Sequence, residues 1–444
     1  MKKSLSGILA FTAGLAPVRV VALGYLAYAV IGWILLCLPF AHAGGAVSAL
    51  DNLFISVSAL STTGLAPVST GGAYSFLGQL IILVLIQIGG IGYMTFGSFV
   101  VLSHSGSISE RRKEITKSVF SLPADTHIEH FLRSVILFTA AVEFLGAVAL
   151  YFAFTSAGTP SPLWSAVFHS VSAFCTAGFS LYDDSMAAFR SNVSVNAIVA
   201  CLSYLGAIGF IVALDAWRTV TRRSPRMTLT SKVILVSTLW LSVLGTLLFL
   251  LGEPSVRGLP LDERLLASGF QVMTALTTVG FNTIPITDLS QASLFLIILL
   301  MVIGASPSGT GGGLKTTTFT AVIGVVRSAI KGLDRVYYWG REIPPQRVWV
   351  ALASLGFYLF FVIVGCYALS LTESFPFEAL MFEVASGLGT VGLSTGITAS
   401  LSPLGKLVVT LLMFVGRLGP LAFGMSLFLR PGEAPPRTVE DLAV

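Results

Sequence analysis

Four short segments of the chain repeat one pattern of residue types, and that pattern is suited to binding a cation without charged side chains. The pattern is F-x-x-x-[ST]-[AG]-[LF]-x-T-x-G-[LF], and it begins at Phe54, Phe168, Phe270 and Phe382. Glycine permits the positive φ angles that turn carbonyl oxygens to one side of the backbone. Threonine supplies a hydroxyl oxygen beside its carbonyl oxygen. Each segment therefore offers neutral oxygens that could replace the hydration shell of a monovalent ion.

The candidate ion-binding residues are the Thr-x-Gly triplets at the ends of these segments. They are Thr62, Thr63, Gly64, Thr176, Ala177, Gly178, Thr278, Val279, Gly280, Thr390, Val391 and Gly392. A ring of neutral oxygens suits K⁺, which is weakly hydrated. Mg²⁺ and Ca²⁺ would require carboxylates, and the triplets contain none. We therefore predict K⁺ at the triplets, and we expect no organic cofactor because no nucleotide-binding motif follows a strand.

The composition indicates what kind of element must hold these segments. Of the 444 residues, 55% are hydrophobic and 11% are charged, whereas a soluble domain has about 25% charged residues. This composition excludes a soluble enzyme and a disordered chain. It also predicts no nucleic-acid partner, because the 26 Lys and Arg residues are spread over an apolar chain. A polytopic membrane protein in contact with lipid remains. It is not predicted to be an enzyme, because its apolar runs lack any acid–base or metal constellation.

Long charge-free runs predict eight membrane-spanning helices, since a bilayer core of about 30 Å requires about 20 apolar residues per helix. The predicted spans are 18–40, 75–102, 132–155, 194–217, 231–251, 290–306 and beyond, 348–371 and 404–429. Between them lie shorter apolar pieces near 51–61, 164–175, 267–277 and 379–389. Each piece would cross half a membrane, so we interpret the four as re-entrant segments. Taken singly, each could instead be a surface or interfacial helix.

Basic residues sort to one side of this topology. Three loops, around 111–133, 218–232 and 327–347, carry most of the Lys and Arg residues, and the opposite side is richer in acidic residues. The positive-inside rule places the basic side and both termini in the cytoplasm. Residues 1–17 could pass for a signal peptide. A cytoplasmic amphipathic start is favoured, because no clear small-residue cleavage site precedes Arg19.

The repeated segments define the domain organisation. Each unit is a helix, a half-helix, a loop and a second helix, and all four units have the same orientation. We predict an all-α polytopic membrane protein with four helix–pore-loop–helix repeats around one central pore. The boundaries are 1–17 for the cytoplasmic N-terminus, 18–110, 111–225, 226–340 and 341–430 for the repeats, and 431–444 for the cytoplasmic tail.

A second repeated motif, made of small residues, follows each loop. Its four copies are Gly89–Gly92, Gly206–Gly209, Gly304–Pro307 and Gly416–Gly419. Only the third copy continues into a stretch that a helix tolerates poorly, so we expect one broken second helix.

The third unit departs from the other three through a glycine-rich stretch at 304–315. Pro307 and the glycines Gly309, Gly311, Gly312 and Gly313 make a continuous helix improbable there. The stretch could be a helix end followed by a cytoplasmic loop. A break at the middle of the membrane fits better, because residues 320–327 are apolar again. Lys315 could line such a break or extend to the cytoplasm.

Arg417 is the other departure from symmetry. It lies in the apolar run from Leu407 to Leu429, about ten residues from either end. A charged residue at that depth is by default a functional hypothesis. The alternative is a structural arginine that is paired or bonded to carbonyl oxygens.

On the four segments ending in Gly64, Gly178, Gly280 and Gly392, the chain resembles the Trk/Ktr/HKT superfamily of potassium transporters. The resemblance covers about 18–430 and is closer to the KtrB membrane subunit, because the first unit is not preceded by an extra helix pair. It implies K⁺ selectivity, since Gly64 stands where some relatives that favour Na⁺ have Ser. It also implies that 304–315 is a gating loop below the filter, with Arg417 close to it.

The resemblance further implies partners and regulation. It implies a homodimer on a cytoplasmic ring of KtrA-type proteins that bind ATP, ADP or NAD(H), with Na⁺ as a possible activator. The function it implies is K⁺ uptake across the cytoplasmic (inner) membrane through a channel-like pore. The alternative is a Na⁺- or H⁺-coupled symporter with alternating access. Such transporters usually have two inverted halves with broken helices in both, whereas four same-sense units and one broken helix are predicted here.

Overall fold

The computed structural model describes residues 17–92, 128–221 and 226–428, and this part of the chain is mostly helical. The predicted N-terminal segment up to residue 16, the first basic loop within 93–127, residues 222–225 and the tail from 429 lie outside the described residues. The helices are α1 (Pro17–Leu36), α2 (Ala49–Leu60), α3 (Thr70–Ala73), α4 (Phe76–Ile91), α5 (Ile128–Ser156), α6 (Pro162–Phe174), α7 (Val193–Ile208), α8 (Phe210–Val220), α9 (Leu229–Gly252), α10 (Leu261–Thr277), α11 (Gln291–Ile303), α12 (Thr316–Ile330), α13 (Pro345–Thr372), α14 (Phe377–Gly389), α15 (Pro403–Leu418) and α16 (Pro420–Phe428). Strands β1 (Tyr337–Tyr338) and β2 (Arg341–Glu342) form an antiparallel hairpin.

The helices follow one order through the chain. A long helix (α1, α5, α9 or α13) precedes a short one (α2, α6, α10 or α14), a loop and a second helix (α4, α7, α11 or α15). The short helices have 12, 13, 17 and 13 residues, and the longest begins with a charged turn, so none has the about 20 apolar residues that a span requires. Helix α10 begins six residues before the predicted apolar piece, because its first turn includes Asp262 and Glu263. Acidic residues are favourable in the first turn of a helix.

Packing between the helices closes a ring. Each short helix packs against the long helix and the second helix of its own group. Each second helix also packs against the short helix of the following group: α4 against α6, α7 against α10, α11 against α14, and α15 against α2. The last of these contacts joins the final group to the first, so the short helices lie at the centre and the long helices outside them.

Within the described ranges, four long helices are apolar and long enough to cross a membrane: Val18–Leu36, Phe131–Ser156, Leu229–Gly252 and Pro345–Thr372. The pairs α7–α8 and α15–α16 are bent by 95° and 94° and would raise the number to six if each pair is one span. Large apolar side chains such as Leu239 and Trp240 are exposed on α9, as expected for a surface that faces lipid. The count of eight spans stays a prediction.

The prediction of a single broken second helix is wrong. Every second helix ends at a glycine with positive φ: Gly92 (86°), Gly209 (93°), Gly304 (62°) and Gly419 (86°). The predicted continuous helices at 194–217 and 404–429 are therefore interrupted. Glycine ends these helices because it has no Cβ to clash with the backbone at positive φ.

The register predicted for the second repeated motif in the third unit is also wrong. Gly304 occupies the place of Gly92, Gly209 and Gly419, since it caps the second helix at positive φ as they do. Met301 therefore stands where the other units have Gly89, Gly206 and Gly416. The predicted pairing of Gly304 with these three glycines is therefore wrong by three residues.

Two carboxylates fix two pairs of helices at the end opposite the broken termini. Glu253, just after α9, accepts hydrogen bonds from the Ser290 amide and hydroxyl, both at 3.0 Å. Glu373, just after α13, accepts from Ser402 in the same way. Burial would raise the pKa of Glu253, but the hydrogen bonds from Ser255, Ser293 and Ser290 outweigh it and lower the pKa below its ordinary value. Both serines also cap their own helices, a contribution of about 1 kcal/mol each.

Candidate ion-binding site

The four Thr-x-Gly triplets follow directly on the short helices and share an unusual backbone conformation. Their threonines have φ angles of 53°, 51°, 58° and 51°, in the left-handed region. Their glycines have φ angles of 94°, 66°, 85° and 96°. A β-branched residue at positive φ is rare, and each instance costs about 1–3 kcal/mol. Strain retained at four equivalent positions indicates that the loops are shaped for a purpose other than stability.

The four triplets meet one another in a closed ring. A β-carbon on the glycine of any triplet would overlap a backbone carbonyl oxygen of the next triplet. The overlapping pairs are Gly64 with Ala177, Gly178 with Val279, Gly280 with Val391, and Gly392 with Thr63. Glycine is therefore required both for the backbone conformation and for the close approach of neighbouring loops.

Amide groups of the triplets are bonded to the short helices behind them. The amides of Thr63 and Val391 donate to the carbonyls of Ser58 (2.8 Å) and Ser386 (2.9 Å), and the other two middle residues do the same. Among the described residues, no hydrogen bond is accepted by a carbonyl oxygen of any of the twelve triplet residues. Since buried polar groups are nearly always paired, a ring of unpaired carbonyl oxygens has the chemistry of a cation site.

In the first, second and fourth segments, the Ser at the fifth position of the pattern positions the loop. Ser58 accepts a hydrogen bond from the Gly64 amide (3.1 Å) and donates to the Leu65 carbonyl (2.7 Å). Ser386 accepts from the Gly392 amide (3.0 Å). The pattern contains this position, but nothing in the sequence reveals that its hydroxyl reaches forward to the triplet.

Replacing Ser386 by alanine should weaken ion discrimination without unfolding the protein. The variant leaves the partly buried Gly392 amide without its partner, which costs up to about 1–3 kcal/mol. We expect a preference for K⁺ over Na⁺ that is lower by about fivefold, measured by uptake with both ions present. Ser354→Ala is the matched control, because Ser354 bonds only the Val350 carbonyl on the exposed side of α13. An equal effect of both changes would contradict the positioning role.

The C-terminal ends of the short helices supply an electrostatic field that favours a cation at the ring. Each short helix stops one or two residues before the threonine of its triplet, so four C-terminal dipole ends adjoin the ring. Each end carries roughly half a negative charge, which favours a cation. Glu383 does not add to this charge at the ring. It is fully buried and accepts hydrogen bonds from Ser394 (2.9 Å) and Thr398, behind the fourth triplet.

The glycine-rich loop at 304–315 lies directly against the ring. Thr62 donates to the Thr310 carbonyl (3.3 Å), and the Thr176 hydroxyl lies 3.1 Å from the Thr310 hydroxyl. A β-carbon on Gly311 or on Gly312 would overlap the hydroxyl of Thr278 or Thr390, respectively. The loop thus approaches all four threonines and covers the ring on this side. Thr310 makes the central contacts, and the sequence marks it only by its position among glycines.

Backbone hydrogen bonds anchor this loop in the break between α7 and α8. The amides of Ser306 and Thr310 donate to the carbonyls of Ala207 and Gly206, both at 3.1 Å. In return the Phe210 amide donates to the Ser308 carbonyl at 3.1 Å. The loop therefore satisfies backbone groups that the broken helix leaves free.

The remaining predicted gate residues surround the same loop. The Ala305 amide donates to the Gly312 carbonyl (3.2 Å), and a β-carbon on Gly309 would touch Ala207. Gly313 turns the chain at a φ of 72° beside Gly304. These contacts fold the glycines into a compact turn rather than an extended loop.

Both cations of the predicted gate bond to loop carbonyls. Arg417 donates to Thr62 (2.9 Å) and to the carbonyl oxygens of Thr310 and Gly89. Lys315 donates to the Gly311 carbonyl at 2.7 Å, so its ammonium turns onto the loop instead of away from it. Arg417 is bonded to three groups that belong to the ring, the loop and α4, and it thus links all three.

Known protein sequences match this chain over most of its length. The sequence profile of the TrkH family, described as cation transport protein, matches residues 32–428. The chain is 34% identical to the Ktr system potassium uptake protein B of Bacillus subtilis, with 92% of each chain covered. It is 35% identical to the potassium/sodium uptake protein NtpJ of Enterococcus hirae, over 95% of this chain and 94% of the relative.

A solved structure has the same fold. The crystal structure of the potassium transporter TrkH from Vibrio parahaemolyticus matches with a TM-score of 0.69. The match covers 93% of this chain and 84% of that chain at 22% identity. The arrangement of helices is therefore shared, and the resemblance stated from the four repeated segments is confirmed.

Proposed function

Because the chain belongs to the TrkH family of cation transport proteins, we propose that it takes up K⁺ across the cytoplasmic membrane through a channel-like pore. The selectivity filter of this pore is the ring of four Thr-x-Gly triplets. One observation carries the proposal: within the described part of the chain, the twelve carbonyl oxygens of a closed ring are unpaired, while the amides behind them are bonded to the short helices. The names of the relatives from Bacillus subtilis and Enterococcus hirae support K⁺ as the transported ion.

The proposed membrane arrangement is four helix–pore-loop–helix repeats with eight spans around one axis, and both termini in the cytoplasm. The four short helices that stop beside the ring, and the cyclic packing of the second helices, support it. We further propose a homodimer on a KtrA-type cytoplasmic ring that binds ATP, ADP or NAD(H). The relation to proteins named potassium uptake protein B of a Ktr system supports such an assembly.

In this mechanism a K⁺ ion exchanges its water shell for the neutral oxygens of the ring. The triplet threonines contribute carbonyl and hydroxyl oxygens, and the hydroxyls of Thr278 and Thr390 have no hydrogen-bond partner among the described residues. The dipole ends of the short helices lower the energy of the ion without binding it so tightly that it cannot leave. Neutral ligands are suited to conduction for this reason.

The loop at 304–315 is the proposed gate. Ions leaving the ring toward the broken helix ends meet Thr310, Gly311 and Gly312, which touch the four threonines. Conduction therefore requires the loop to move. The fixed positive charge of Arg417 beside the loop raises the barrier further, since a cation passing within a few ångströms is repelled. Lys315 adds a second positive charge on the loop itself.

A Na⁺- or H⁺-coupled symporter is the second candidate, and one observation favours it. Second helices are broken in the second, third and fourth units, including the bent pairs α7–α8 and α15–α16. Discontinuous helices at the substrate site are typical of secondary transporters. The fourfold ring with one occluding loop still favours the pore, because alternating access requires two opposed gates around one site.

Flux through the purified protein in liposomes distinguishes these two functions. A pore carries K⁺ down its gradient with no counter-ion and with a reversal potential set by K⁺ alone. A symporter shows a reversal potential that depends on the Na⁺ or H⁺ gradient at fixed stoichiometry. We expect the first result. Adding Na⁺ to the same assay tests whether Na⁺ activates transport or, as the name of the Enterococcus hirae relative suggests, is itself carried.

A further inference from the structure

A cavity of about 480 Å³ lies away from the ring, between α9, α12 and the hairpin. Its walls include Val233, Val236, Thr320, Arg327 and Trp339. Residues 327–347 and the start of α9 form the basic end of the protein, which the positive-inside rule assigns to the cytoplasm. The cavity therefore lies at the level where the acyl chains of the inner leaflet meet their headgroups.

The hairpin wall of this cavity is held firmly. Arg335 and Glu342 form an ion pair at 3.0 Å across the hairpin, and the Tyr338 hydroxyl donates to the Thr320 carbonyl at 2.6 Å. A β-carbon on Gly324 would lie 2.6 Å from Val336, so the hairpin packs closely on α12. The cavity is thus a property of the fold and not of a loose loop.

Arg327 gives the cavity its charge. It is the only charged residue of the lining, and among the described residues it forms no ion pair. A guanidinium group presents a planar fork of donors that matches the oxygens of a phosphate. A cation in a cavity without a carboxylate is complementary to an anionic ligand.

The surroundings of the cavity select a lipid among anionic ligands. Val236 on α9 and Ile323 and Val326 on α12 are exposed and apolar, so they offer a surface for acyl chains next to Arg327. Trp339 is 60% exposed at the hairpin tip, in a left-handed conformation (φ 47°) that is usually left to Asn or Gly. Tryptophan and tyrosine rings concentrate at the headgroup level of membranes.

We propose that this cavity binds the phosphate headgroup of an anionic phospholipid from the cytoplasmic leaflet, with Arg327 as its cation and Tyr337 and Trp339 at its rim. The acyl chains lie along the exposed apolar residues of α9 and α12. The site depends on the position of the hairpin in the membrane and not on which ion the protein transports.

Native mass spectrometry of the detergent-solubilised protein tests the proposal. Phosphatidylglycerol and phosphatidylcholine are titrated separately, and the bound lipids are counted. We expect one phosphatidylglycerol to bind more tightly than the rest, and Arg327→Gln to weaken it about fivefold, the factor for one basic group near an anionic lipid. Arg341→Gln is the matched control, because Arg341 lies in the same hairpin but does not line the cavity. Val236→Phe, which narrows the cavity and keeps Arg327, should weaken the same lipid.

Three results would overturn the assignment. Equal weakening by Arg327→Gln and Arg341→Gln would mean that binding reflects the overall charge of this end. Equal affinity for phosphatidylglycerol and phosphatidylcholine would remove the role of the anionic headgroup. Displacement of the tight lipid by millimolar inorganic phosphate would identify a site for a free oxyanion. Thermal unfolding of both arginine variants in phosphatidylcholine nanodiscs checks that each is folded.

Discussion

Replacing Gly280 by alanine should abolish selective K⁺ uptake while a matched glycine replacement leaves it intact. Gly280 has a φ of 85°, and a β-carbon there would overlap the carbonyl oxygen of Val391 in the next triplet. Relief requires that carbonyl to move, although it is one of the proposed ion ligands. Overpacking of this kind costs about 1–3 kcal/mol. If that cost falls on ion binding, affinity drops roughly 5- to 150-fold.

Gly396→Ala is the control for this experiment, because it separates backbone strain from overlap. Gly396 has nearly the same φ, 87°, but the nearest atom to its β-carbon is a methyl of Thr287 at 3.7 Å. Both variants are therefore destabilised by a side chain at positive φ, and only Gly280→Ala displaces a ring carbonyl. Uptake of K⁺ with and without Na⁺ in cells lacking other K⁺ transporters is the measurement. Equal loss in both variants at equal protein levels would contradict a ligand role for the ring.

Much of the ring could be predicted from the sequence because the same short motif occurs four times. One Thr-x-Gly has no significance in a chain with 44 glycines, but four copies at the ends of short apolar pieces predict four equivalent loops. The structure places all four triplets at the ends of short helices, with matched φ angles. The pattern could not reveal that each glycine contacts the next loop, because such contacts join residues more than 100 positions apart.

The helix breaks were missed for a physical reason. Gly209 and Gly419 lie in apolar runs that are long enough to span a membrane, and hydropathy does not register a change in φ. Glycine within a membrane helix is common, so its presence alone does not predict a break. The cost of a break depends on new partners for the freed backbone groups. At Gly209 the loop at 304–315 supplies those partners, and only tertiary structure contains that information.

The contacts of Thr310 and Lys315 illustrate the same limit. The sequence predicts a gate at 304–315 and leaves Lys315 either at the gate or directed to the cytoplasm. Its ammonium donates to the Gly311 carbonyl, a bond within four residues that no hydropathy pattern contains. Thr310 was not selected at all, although it contacts the threonines of two triplets.

Replacing Arg417 by glutamine should open the pore in the absence of any regulatory partner. The arginine donates to Thr62 of the ring, Thr310 of the loop and Gly89 of α4, and glutamine cannot reach all three. Each hydrogen bond from a charged donor contributes about 1.5–3 kcal/mol. Losing even one while removing the repulsive charge should raise basal K⁺ flux roughly tenfold or more. Purified protein in liposomes gives the measurement.

Arg264→Gln is the control for Arg417→Gln, since it removes a charge that lies far from the loop. Arg264 donates to the carbonyl of Leu250 at the other end of the helices, and it makes no contact with residues 304–315 among its described hydrogen bonds. Its replacement should leave basal flux unchanged. If Arg417→Gln folds to the same thermal stability and basal flux stays at the level of the unchanged protein, Arg417 does not hold the gate closed. If flux rises but the preference for K⁺ over Na⁺ falls with it, Arg417 acts on the ring through Thr62. A rise in flux at constant selectivity, which we expect, places its action on the loop, because the ring would then keep its ligands while the obstruction below it moves.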